Sequence, residues 1–301
     1  MPPVWVQLKQ LLIRELQISR SLAAYTYFEA TIAGVLLGAT YFHMSLRLAG
    51  VISRLGLIFA VHCTLGMQAL QGLLAWRDGY TSYRRERAAG YYYTGSFVIA
   101  KVVVDAVLLR VGPPALMCAI IYLLASMHPG REAVCCLGFC LASFVASTFC
   151  LALGATAPRS GVVLPLAVLL ILIFLLFGGP LLASGEDVLR NVSIFRASFN
   201  MLAANELRGL DFLFDPEGVS VTLDSRSGED WMVDLGIQDN PVAEEVGWLL
   251  GWSFFYILLA WAVLASRSVT CSECALPRGC GRASATIEQP QIGRRRSTAS
   301  E

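Results

Sequence analysis

Charge is scarce in this chain. Asp, Glu, Lys and Arg make up 15% of residues against 56% hydrophobic ones, a balance that excludes an ordinary soluble enzyme. Lys9 and Lys101 are the only lysines, and neither sits in a Gly-x-x-x-x-Gly-Lys-Ser/Thr phosphate loop, so the chain is not expected to hydrolyse ATP by itself. The histidines His43, His62 and His128 stand far apart, which leaves no cluster to serve as a catalytic or metal site, and neither is expected. A formal net charge of +1 gives no reason to invoke nucleic acid. Residues 1–20 mix Trp5, Lys9, Arg14, Glu15 and Arg20 with apolar residues and show no cleavable leader, so the first span is expected to act as its own insertion signal.

What the chain does have is long apolar runs, with a mean hydropathy of +0.61. Six stretches are long enough to cross a bilayer as helix: 24–42, 55–75, 97–127, 133–154, 161–182 and 246–266. Ahead of them, Val4, Leu8, Leu11, Leu12 and Leu16 recur at helical spacing against Gln7, Lys9, Gln10, Arg14 and Gln17, the pattern of an amphipathic helix lying on a membrane surface. The expected fold is therefore an all-α integral membrane protein. It has an amphipathic connecting helix over 1–23, a six-helix membrane domain over 24–266 with an outer loop at 183–245, and a disordered cytoplasmic tail over 267–301. The stretch 188–207, too polar for another span, is expected to be a re-entrant element. Arg and Lys gather on one face, at Lys9, Arg14, Arg20, Arg77, Arg84, Arg85, Arg87 and Arg159, which predicts that face and both termini to be cytoplasmic.

Cys63, Cys118, Cys135, Cys136, Cys140 and Cys150 fall inside apolar stretches and read as membrane packing. Cys271, Cys274 and Cys280 follow the last span and lack a fourth ligand, so they suit palmitoylation better than zinc. Lys101 and Asp105, four residues apart, share a helix face and are expected to form a structural ion pair. Arg110 lies deeper without a partner at helical spacing; it either has a functional role or snorkels toward the cytoplasm. On the second stretch Thr64, Gln68 and Gln71 form a polar stripe that either binds a ligand or holds helices together. Asn191-Val192-Ser193 is a glycosylation sequon on the outer side.

After the second stretch the chain reads Tyr83-Arg84-Arg85-Glu86-Arg87-Ala88-Ala89-Gly90-Tyr91-Tyr92, and Lys101, Asp105, Arg110, Pro113 and Pro114 follow. Phe177-Gly178-Gly179-Pro180-Leu181-Leu182, Asn205-Glu206-Leu207-Arg208-Gly209 and Gly228-Glu229-Asp230-Trp231 come later in register. Together these resemble the permease half of the G subfamily of ABC transporters, the white and breast-cancer-resistance-protein group, whose Arg/His-Glu-x-x-x-Gly-x-Tyr loop precedes a span with Lys-x-x-x-Asp. The resemblance runs from Val4 to Ser266.

It implies a homodimer, or a heterodimer with a related half, that exports lipids, sterols or amphipathic xenobiotics across a plasma membrane or endomembrane. ATP and Mg would bind a partner ATPase domain, and this chain would hold no cofactor of its own. Glu86, with Arg84 and Arg87, would form the coupling helix that docks on that domain, and Arg14 would be the basic residue of the connecting helix beside it. Without the resemblance, the same charges read as solvated positive-inside residues. The resemblance also assigns the second and fifth spans to a central cavity, giving Thr64, Gln68, Gln71, Leu169, Ile173, Phe174 and Phe177, with Arg110, as cavity candidates, and Leu181 and Leu182 as its plug. Three departures stand out: this sequence carries no phosphate loop of the ATPase domain that normally precedes the permease, the outer loop has no cysteine, and Pro180 interrupts the plug's usual leucine pair. The first leaves open an alternative, a non-transporting half that binds and regulates full-length partners.

Overall fold

The computed structural model describes residues 3–156, 161–179, 192–214 and 224–273. Its first helix, α1, runs unbroken over Val4–Thr40. No glycine or proline lies between Val4 and Gly34, so nothing interrupts the ladder, and 37 residues make a rod about 55 Å long. The connecting helix expected over 1–23 and the span expected over 24–42 are thus one element. Its first half is also turned differently from a surface helix: Gln7 and Glu15 are buried beside Leu11, while Val4, Trp5 and Leu16 are exposed. The polar groups face the protein because each has a bonding partner there, described below.

Helix α2 spans Leu48–Ala88. Next comes α3 over Thr94–Asp105, a π-helical turn over Ala106–Val111, and α4 over Gly112–Ala125, all three forming one continuous rod. The π turn has a local cause. Pro113 and Pro114 have no N–H to donate to the carbonyls four residues back, so the α ladder cannot run through them and the preceding turn widens. Helix α5 covers Glu132–Thr156 and α6 covers Val163–Gly178. After these, α7 spans Arg196–Leu207, β1 Asp211–Phe214, β2 Asp224–Ser227, α8 Gly228–Asp234 and α9 Val242–Glu273.

Five of these rods are long and apolar enough to cross a membrane: α1, Ala49–Leu74 of α2, Thr94–Ala125, α5 and Val242–Arg267 of α9. The sixth, α6, is apolar throughout and about 24 Å long over its 16 residues. The protein is a multi-pass integral membrane protein with a helical fold. The last helix extends past the expected 246–266 at both ends and continues seven residues into the segment expected to be a disordered tail. Among the described residues, the one addition to an all-α reading is the antiparallel pair β1 and β2, with Asp211 opposite Ser227 and Phe214 opposite Asp224. It lies in the polar loop, where a short hairpin satisfies its own backbone groups.

Bonds between elements show which ends share a side. Near the start of α1, Gln7 accepts from the Tyr93 backbone N–H at 2.9 Å and from Ser96 Oγ at 3.3 Å, at the start of α3. Near the end of α9, Arg267 bonds the Thr156 carbonyl at the end of α5. The described ends of the chain therefore lie on one side of the bundle. The turns at 41–47 and 126–131 and the α7 to α8 region lie on the other, the far side.

Close approach of α1 to α4 depends on two glycines one helical turn apart. A methyl at Gly34 would fall 3.2 Å from Ile120 Cβ, and one at Gly38 would fall 2.7 Å from Leu124 Cδ1. Small residues at this spacing let membrane helices pack backbone to backbone. Helix α5 is the hub, packing against α2, α4 and α9. Trp76, Phe97 and Phe149 anchor an apolar cluster on the termini side, and Ile58, Met117, Phe139 and Phe199 anchor another on the far side. Helix α7, expected as a re-entrant element, is buried on all faces among α2, α5, α6 and α9.

Candidate coupling site and transport surfaces

The end of α2 is shaped by one residue in a left-handed conformation, Gly90 at φ +77°. The Gly90 N–H donates to the Arg87 carbonyl at 3.1 Å and the Tyr91 N–H to the Glu86 carbonyl at 3.2 Å, a Schellman closure that a side chain at residue 90 would strain. The reversal brings Tyr92 back alongside the helix it has just left. Its hydroxyl donates to Glu86 Oε2 at 2.8 Å, the same oxygen that accepts from Arg14 Nη1 at 2.6 Å. One carboxylate thus ties together α1, the end of α2 and the lead into α3. Burial and the neighbouring Glu86 carboxylate push the Tyr92 phenol well above its ordinary range, so it remains a hydrogen-bond donor at any physiological pH. Burial raises the Tyr83 phenol as well, and Tyr83 lies 3.1 Å from Thr94 Oγ1, which also accepts from Arg87 Nε at 3.3 Å. Arg84 is half-buried on the same turn of α2.

Beneath this knot lies Glu15, buried on α1. It accepts from Lys101 Nζ at 3.0 Å and lies 3.5 Å from Arg14 Nη2. Lys101 is therefore committed to α1 and does not pair with Asp105. Asp105 turns instead to Arg110, whose Nε lies 3.1 Å from Oδ2, and accepts from Ser147 Oγ of α5 at 2.5 Å. The π turn explains the exchange: i to i+5 geometry places residues 105 and 110 on one face, which α-helical spacing would not do. Arg110 thus has a partner, contrary to the α-helical expectation. It is buried inside the bundle, where Nη1 has no hydrogen-bond partner.

The other cavity candidates do not converge on one pocket. Gln71 bonds α1, accepting from Thr26 Oγ1 at 3.2 Å and donating to Glu29. Thr64 turns its hydroxyl back to the Ala60 carbonyl at 3.0 Å, and Gln68 is buried with its amide nitrogen unpartnered. Leu169 and Ile173 are exposed on α6, Phe174 packs edge-on against Phe149 at 5.2 Å, and Phe177 is half-buried. A cavity of about 630 Å³ does open between α1, α2 and α3 on the termini side, lined by Arg14, Glu15, Tyr25, Gln71, Glu86 and Lys101 among others. Leu181, Leu182 and Asn191 lie outside the described residues.

A second polar constellation, on the far side, escaped the sequence reading. Arg54 of α2 pairs with Glu206 of α7, and both are buried. Glu206 also accepts the His128 backbone N–H at 3.1 Å. Arg131 Nη1 donates to the Asn205 and Arg208 carbonyls, each at 2.8 Å, and His62 lies 2.7 Å from Ser198 Oγ. An arginine and a histidine within an apolar helix, with their partners expected across the bundle, were the available signals.

The ABC-2 type transporter family model matches residues 4–207. ABC transporter G family member 24 of Dictyostelium discoideum is 29% identical over 247 residues, covering 79% of this chain and 21% of that protein. The broad substrate specificity ATP-binding cassette transporter ABCG2 of Rattus norvegicus is 26% identical over 229 residues, covering 70% and 34%. ABC transporter G family member 7 of Arabidopsis thaliana is 24% identical over 222 residues, covering 71% and 30%. The chain thus spans about a fifth to a third of the length of these relatives. With its helical membrane fold and a match over most of its spans, the chain belongs to the ABC-2 type transporter membrane domains, in the G-family permease group.

Proposed function

We propose that this chain is the membrane-spanning unit of an ABC exporter for lipophilic or amphipathic molecules, driven by an ATPase domain that carries the ATP and Mg. The observation that carries the reading is the Glu86 knot. Export requires movement of the ATPase domains to reach the spans through a stiff contact. Glu86, bonded at once to Arg14 and Tyr92, joins three rods at the surface nearest the chain ends, and a push there would be shared by α1, α2 and α3. The positive-inside pattern supports a cytoplasmic place for that surface, with Arg84 and Arg87 on the helix turn that would meet the ATPase.

For the transport path, the exposed apolar face of α6, including Leu169 and Ile173, supports an apolar wall completed by a second copy or a related half. Such a wall suits lipid, sterol or xenobiotic cargo. Arg110, paired with Asp105, which Ser147 in turn holds, acts as structure in this reading, and Gln71 as helix glue. The test is to purify the tagged chain from its native membrane and assay the eluate for ATPase activity. An ATPase that co-purifies and is weakened by Glu86→Ala supports the reading. Activity unchanged by Glu86→Ala refutes coupling through this residue, and recovery without any ATPase counts against the exporter.

A further inference from the structure

On the far side, where α7 meets the first turns of α9, a cavity of about 190 Å³ is lined by Arg196, Asn200, Asn240, Glu245, Trp248 and Trp252 among others. Nothing in the transport reading uses it. Glu245 is 3% exposed, an unusual place for a carboxylate whose neighbour Glu244, exposed, already complements the α9 N-terminus. Asn240 Nδ2 donates to Glu245 Oε1 at 3.0 Å, and Asn200 and Arg196 line the same pocket, near enough to favour the charge of that carboxylate. The pocket therefore holds a fixed anion, a cation on the α7 wall and two indoles, with Trp252 stacked on Tyr256 at 5.7 Å and Trp248 58% exposed at the mouth.

We infer that this pocket seats the choline headgroup of a phospholipid in the adjacent leaflet. A carboxylate beside indole faces is the chemistry that recognises a quaternary ammonium, and Arg196 offers the complementary charge for the phosphate. The trimethylammonium is favoured over a primary ammonium because Asn240 already occupies hydrogen-bonding capacity of Glu245. A cation that donates no hydrogen bond loses nothing by that, whereas an ammonium brings three donors to satisfy. The membrane source follows from what lies beyond the mouth. Trp248, Phe255 and Leu259 continue down α9 as an exposed apolar face within the spanning segment, a track for acyl chains that a soluble ligand would not need.

Native mass spectrometry of the full chain, released from detergent with phosphatidylcholine, phosphatidylethanolamine or phosphatidylglycerol of identical acyl chains, tests the assignment. Phosphatidylcholine should be retained best and phosphatidylglycerol least. Trp248→Ala should lower phosphatidylcholine retention about two- to fivefold, the scale of one exposed cation–π contact, and Glu245→Gln should lower it at least as far by removing the pocket's anion. Trp248 is exposed, so its variant keeps the fold and decides the matter even if Glu245→Gln disturbs it. Equal retention by wild type and Trp248→Ala overturns the site, and so does equal retention of phosphatidylcholine and phosphatidylglycerol. Binding of soluble phosphocholine with no phospholipid retained would refute the lipid as its source.

Discussion

The two ends of the bundle are both held by an arginine–glutamate pair, yet the pairs differ in kind. On the termini side Arg14 and Glu86 keep side-chain exposures of 34% and 30%, with a large cavity beside them. On the far side Arg54 and Glu206 are at 4% and 0%. Exposed pairs contribute little to stability and re-form easily, whereas a buried carboxylate stripped of its partner is severely penalised. The far side is thus built to stay assembled, while the termini side is built from contacts that can move and close again. That division suits a permease driven from one end.

Four substitutions would break or sharpen this contrast. Glu206→Ala should cost most, about 3–5 kcal/mol, because it strands buried Arg54 and frees the His128 N–H; thermal unfolding in detergent would register it as a large drop in midpoint. Asp105→Ala should follow at about 3 kcal/mol, since buried Arg110 loses the carboxylate that pairs with it inside the bundle; the same assay reads it. Gly38→Val should cost about 1–3 kcal/mol by forcing α1 away from Leu124 of α4, seen as weaker crosslinking of cysteines placed on the two helices. Glu86→Ala should change stability least, by about 1 kcal/mol or less, yet abolish most substrate-stimulated ATPase activity. An Arg14→Glu, Glu86→Arg double variant should restore part of that activity. A large stability loss in Glu86→Ala, matching Glu206→Ala, would erase the distinction between the two ends.

The apolar runs made the spans legible, because bilayer thickness forces helical length onto the sequence. Where α1 and α9 begin and end was less legible, since polarity changes at Arg14 or Arg267 do not stop a helix that has no breaker. The neighbourhood of Glu86 could be read only through resemblance; Arg14 lies 72 residues away and no local pattern links them. Lys101 and Asp105 show the limit of spacing rules. Four residues apart they could meet, but Glu15 on α1 competes for the lysine, and a π turn hands the aspartate to Arg110. Arg54 and Glu206 are 152 residues apart, so their pairing exists only once α7 packs against α2.

The π turn before Pro113 has a mechanical meaning. It winds one residue more into the rod than an α-helix would use, and each residue of α-helix represents about 100° of rotation. The half bearing Lys101 and the half bearing Ile120 are therefore clocked against each other by that single surplus residue, like two shafts joined through an offset key. Removing one residue from 106–111 would turn Lys101 away from Glu15 or Ile120 away from Gly34, since the rod could no longer meet both neighbours of α1 at once.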